Sequence, residues 1–150
     1  MKRILLPAIL ASLAFHPTIV RADDEEAELK EQPAAVQKTA HAEIGSAEIT
    51  EVEPAFENGQ HATEVEYTEN GNKMAIDIAK DGTLIQKEHR MSPAQAPDVI
   101  KKAVAALYPT GKITFIKQVE RKDATFFEVS VRGAGKAHLL NLDPNGKPLK

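Results

Sequence analysis

The stretch Glu64–Ile85, EVEYTENGNKMAIDIAKDGTLI, decides how the chain is read. Val65 and Tyr67 alternate with Glu64 and Glu66, and Met74, Ile76 and Ile78 alternate with Lys73, Ala75 and Asp77. Apolar alternation around Asn70-Gly71 is the signature of a two-residue hairpin. The side chains of each strand divide between two faces, because neighbouring Cβ atoms point in opposite directions. Shifted by sixty-four residues, the plan recurs without a gap, with Pro33 matched by Pro97. Glu64-Val65 becomes Glu128-Val129, and Gly71 becomes Gly135. Ile76 and Ile78 become Leu140 and Leu142, and Asp81-Gly82 becomes Asn145-Gly146. Self-similarity at a fixed period implies one structural unit used twice.

Working outward, each hairpin is preceded by a helical pattern and a short strand. Pro33 suits a first helical turn, where a missing N–H loses no partner. Val36, Ala40 and Ile44 then share one face, and Gly45 ends the run. In the second half, Val99, Ile100, Ala103, Val104 and Leu107 form a wider stripe that stops at Tyr108-Pro109. Ile49–Glu53 and Ile113–Lys117 are the strand candidates that follow. The polar segment Gln86–Arg90 joins the halves as an extended connector or a fourth strand. The expected fold is therefore α+β, a tandem repeat of a helix followed by a three- to four-stranded antiparallel sheet. Repeat 1 is placed at residues 33–88 and repeat 2 at 91–150. A unit of that size is marginal alone, so the two are expected to share a boundary.

The ends carry a different signal. Lys2-Arg3, the apolar run Ile4–Ala14 and Val20-Arg21-Ala22 have the layout of a secretory signal peptide over residues 1–22, cleaved after Ala22. His16 and Pro17 interrupt a run already short of the ~20 residues that span a bilayer, so no stable membrane anchor is expected. Asp23–Gln32 is mostly charge and reads as an acidic, solvated tail. Without Lys2, Arg3 and Arg21, 16 of the 19 basic residues remain against 22 acids, a net charge near −6. Such a chain lacks the basic footprint of a nucleic-acid binder. With no cysteine there is no disulfide or thiolate site, which fits a periplasmic or secreted protein of bacterial type.

The segments Leu107-Tyr108-Pro109-Thr110-Gly111-Lys112-Ile113, Phe127-Glu128-Val129-Ser130-Val131 and Leu140-Asn141-Leu142-Asp143, with Asn145-Gly146, carry a resemblance. A helix ending in Tyr-Pro-x-Gly, then Ile and a three-stranded hairpin, resembles the PepSY domain. The paired copies are similar to β-lactamase-inhibitor-like proteins of PepSY-like type. The resemblance spans roughly Pro33 to Lys150, and copy one departs from it at Ile44-Gly45-Ser46-Ala47. It implies a non-catalytic extracytoplasmic binding module, of the kind that holds secreted metallopeptidases inactive within their propeptides. The partner it implies is another extracytoplasmic protein, such as a peptidase.

Catalytic patterns are missing from the sequence. His16, His41, His61, His89 and His138 never adopt the spacing of a zinc peptidase. Ser46 follows Gly45 without the second glycine of a nucleophile elbow. No enzyme activity, cofactor or dedicated metal site is therefore expected. Phe126 and Leu139 fall opposite the helix-facing set, beside Glu128, and are the candidate partner contacts. The alternative is a periplasmic small-ligand or metal-ion binding protein that uses Glu64, Glu66 and Asp77. His138, in phase with Leu140 and Leu142, reads as a core-edge residue.

Overall fold

The computed structural model describes residues 22–149, with side chains from Glu25 onward. The proposed signal peptide lies outside the described residues, except for Ala22. Helix α1 (Ala22–Glu31) and helix α2 (Ala34–Ile44) precede strands β1 (Glu48–Glu57), β2 (Gln60–Glu69), β3 (Asn72–Ala79) and β4 (Leu84–Met91). Helix α3 (Asp98–Leu107) then leads into β5 (Lys112–Arg121), β6 (Ala124–Gly133) and β7 (Lys136–Leu142).

All seven strands form one sheet in the order β1-β2-β3-β4-β5-β6-β7, and every neighbouring pair is antiparallel. This corrects the expectation of two helix-plus-small-sheet units. Gln86–Arg90 is the reason: it lies within β4, which pairs with β3 on one side and β5 on the other. β4 thus carries the hydrogen-bonded sheet from β3 across to β5.

The local geometry follows the residues. Asn70 and Gly71 have φ values of 51° and 77°, the two left-handed positions that a two-residue hairpin loop requires. At Thr50 the pairing of β1 with β2 slips by one residue, and at Thr114 the pairing of β5 with β6 does the same. These bulges return Ile49 and Val52 to one face despite their odd spacing, and likewise Ile113 and Ile116.

Helices α2 and α3 cover the same face. Val36, Ala40 and Ile44 of α2 pack with Val65, Tyr67, Ile76 and Ile78. Ile100 and Val104 of α3 pack with Ile116, Phe127, Val129, Val131 and Leu142. Register links the two clusters: Ile76 is opposite Lys87, and Met91, on the same side of β4, is opposite Ile116. Ile76 is fully buried, whereas its counterpart Leu140 is only partly buried at the rim of the second cluster.

The acidic tail is also corrected. Asp23–Glu31 lies within α1, and Gln32 follows it. Leu29, fully buried, anchors α1 in the first cluster. One apolar side chain among many charged ones suffices, because the helix needs only a narrow stripe against β1.

Candidate functional site

The other side of the sheet carries no α2 or α3, and its side chains meet in rows across the strands. One row runs Glu53, Glu64, Asp77, Gln86, Arg121 and Ala124. A second runs Glu51, Glu66, Ala75, Glu88, Val119 and Phe126. A third runs Lys73, Arg90, Lys117, Glu128 and Asn141.

These side chains form one connected charge network. Arg90 donates from Nη2 to Glu64 Oε1 at 2.5 Å and from Nη1 to Glu66 Oε1. Lys117 Nζ donates to Glu88 Oε1 at 2.5 Å and lies 3.8 Å from Glu128. Gln86 Nε2 donates to Asp77 Oδ2 at 2.8 Å and to Glu88 Oε1 at 2.9 Å. Arg121 Nε donates to Gln86 Oε1 at 2.8 Å.

At its centre this polar face is closed to water. Asp77 and Glu88 are each 1% exposed, and Gln86 is buried beside them. Burial pushes the Glu64 carboxyl up to about 7, with the nearby Asp77 charge adding to the effect and Arg90 opposing it. Burial likewise raises Asp77 to about 6, against the hydrogen bond from Gln86. Burial is the largest influence on Lys117 and would lower its pKa, but the hydrogen bond to Glu88 together with the charges of Glu88, Glu128 and Glu64 outweighs it, and the pKa is raised.

Of the candidate partner contacts, Leu139 is exposed, at 63%. Phe126 is buried, because the Arg121 guanidinium lies 5.2 Å above its ring and Val119 pairs beside it. Glu128 is partly buried next to Lys117. Leu139 is opposite Ser130, four residues along β6 from Phe126, so about 13 Å separates the two positions. The structure therefore does not join Phe126 and Leu139 in one patch. It brings Leu139 instead to the row of Phe115, which is also exposed and pairs with Ser130 from the other side. Phe115 borders a cleft of about 430 Å³ shared with Lys73, Arg90 and Met91.

Glu64, Glu66 and Asp77, named from alternation, do stand together. Sequence reasoning missed Glu53, Glu88, Arg90 and Lys117, which join them only through strand register. His138 lies on the helix side, its ring 4.7 Å from that of Tyr108. No described helix is long and apolar enough to cross a membrane.

Solved structures share this architecture. A DUF2874 family protein from Bacteroides ovatus ATCC 8483 superposes with a TM-score of 0.65 at 18% identity, over 79% of this chain and 85% of that one. A BLIP-like protein from Bacteroides fragilis NCTC 9343 gives 0.64 at 15%, over 79% and 84%. A protein described as a candidate periplasmic protein, from Bacteroides eggerthii DSM 20697, gives 0.66 at 14%, over 79% and 86%. At these identities the likeness shows a shared fold, and it agrees with the inhibitor-like resemblance at that level. No family model and no curated protein matches the chain.

Proposed function

We propose that this chain is an exported, non-catalytic binding protein that docks another extracytoplasmic protein on the helix-free side of its sheet. One observation carries the reading: α2 and α3 both pack on one side, and the other presents fixed charges with Phe115 and Leu139 exposed at its end. Apolar side chains beside a pre-ordered polar network suit protein recognition, where anchors are dry and the surround is polar. The signal-peptide layout and the candidate periplasmic and BLIP-like neighbours support the same reading. A peptidase partner rests on the PepSY resemblance alone.

The test is cross-linking in a periplasmic extract with purified native chain and with Phe115→Ser/Leu139→Ser. Both side chains are exposed, so the double variant should keep its melting midpoint yet lose the specific cross-linked partner. Leu107→Ser, on the exposed side of α3, should retain it. Equal capture by all three proteins would remove the docking reading.

A further inference from the structure

Glu53, Glu64 and Glu66 each place a carboxylate oxygen within 4.8 Å of the others. Grouped carboxylates alone are common on surfaces and identify nothing. Here a second feature adjoins them. Asp77 is directly opposite Glu64 on the same face, in the row that begins with Glu53. It is 1% exposed, and while Oδ2 accepts from Gln86, Oδ1 has no partner. An unpaired buried acceptor costs free energy unless a donor or cation reaches it.

Arg90 supplies only part of the compensation. Its two terminal nitrogens serve Glu64 and Glu66, but its Nε is buried without a partner. Glu88 Oε2 is also buried without a partner, 3.9 Å from that Nε. Donor and acceptor thus face each other just beyond bonding distance. A small shift of the guanidinium would join them and release carboxylate oxygens of Glu64 and Glu66.

We propose that Glu53, Glu64 and Glu66 bind one hard divalent cation, that Asp77, outside this group but directly across from Glu64, turns its free Oδ1 to the ion, and that binding transfers Arg90 from Glu64 and Glu66 to Glu88. An irregular, all-oxygen donor set suits a cation of calcium type better than magnesium, which requires near-octahedral geometry and keeps its water. The ion would sit on the β1–β3 side, while Glu88 lies on β4, bonded to Lys117 of β5. Binding at one side of the sheet is thereby felt at the pairing that joins its two halves. This goes beyond the docking proposal and does not depend on any partner.

The experiment is calorimetric titration of the metal-stripped full chain with calcium chloride and, separately, magnesium chloride. The native chain should bind one calcium ion saturably, with magnesium weaker. Glu64→Gln/Asp77→Asn should weaken calcium binding at least tenfold, and Arg90→Ala, which removes the competing cation, should strengthen it several-fold. Should Arg90→Ala fail to fold, Arg90→Lys, unable to fork between two carboxylates, should also bind more tightly than native. The relay is read by NMR: the Arg90 Nε proton should shift on calcium addition, and Glu88→Gln should abolish that shift without abolishing binding. Absence of saturable binding by the native chain at millimolar calcium would overturn the site. Undiminished binding by Glu64→Gln/Asp77→Asn would do the same, and an unmoved Arg90 resonance would overturn the transfer. Docking fails separately, through Phe115 and Leu139.

Discussion

Asp77 and Glu64 face each other on neighbouring strands, each with its acidity weakened mainly by burial. In the unfolded chain they titrate near 3.8 and 4.5, and in the folded one near 6 and 7. Between these limits the folded state holds more protons, so stability should be greatest below about pH 4 from these groups and fall as pH rises through 7. The melting midpoint should therefore drop between pH 5 and pH 8 in the presence of a chelator. In Glu64→Gln/Asp77→Asn the slope should flatten, and an unchanged slope would mean that neither group is perturbed by folding. Phe126 and Leu139 make the opposite pair. Because Phe126 is buried under Arg121 and Leu139 is exposed, Phe126→Ala should cost about 3 kcal/mol in denaturant melts. Leu139→Ala should stay within about 0.5 kcal/mol. The sequence placed both on one face correctly, but alternation gives only the side of a strand. How deeply each side chain sits depends on which residue stands across from it.

Among the elements, those with an apolar pattern of their own were legible and those without one were not. Asn70-Gly71 announces its hairpin because few other residues accept two successive left-handed positions. β4 follows a turn at Asp81-Gly82, but Gln86–Arg90 shows no apolar alternation and so reads equally as a connector or a strand. Lys87 and His89 lie on its helix side, in the gap between the two helix-covered clusters, so both of its faces are polar. An alternating pattern needs one buried apolar face, and β4 instead lies buried among charges. Helix α1 was hidden for a related reason, since Leu29 is one apolar residue in an acidic run. The network on the helix-free side was half legible: Glu64, Glu66 and Asp77 follow from alternation, whereas Arg90 and Lys117 arrive through pairings that only register defines. The loop between β6 and β7 holds an element-scale prediction. Ala134 has φ 49° in a loop whose next residue, Gly135, has φ 76°. Its Cβ crowds the backbone there, so Ala134→Asn should stabilise the protein by about 1 kcal/mol. A lowered urea midpoint would show that the loop is shaped otherwise.

At the scale of the whole molecule, one sheet implies one transition. The β4–β5 seam is built from a Glu88 carboxylate buried against Lys117. Removing one partner leaves the other uncompensated, so Lys117→Met should cost on the order of 3 kcal/mol. The chain has two tyrosines, and they report on different halves: Tyr67 lies in the first core and Tyr108 against the second. Tyr108→Phe and Tyr67→Phe each leave a single fluorophore. Their urea transitions should be superimposable with the unfolding of secondary structure, as two-state behaviour requires. Separate midpoints would mean that the halves unfold independently despite their shared strands.

The strand order has a consequence in time. Each strand of the sheet pairs with its immediate successor in the chain, and of these pairings β4 with β5 alone spans a helix, α3. Closing such short loops is entropically cheap, and sheets dominated by local pairings fold faster than those that bring remote strands together. A chain delivered from its N-terminus could lay down β1 against β2 before β3 has emerged. Each later strand would then find its template already formed, and at β4 the growing edge would wait for α3 to emerge before β5 covers it.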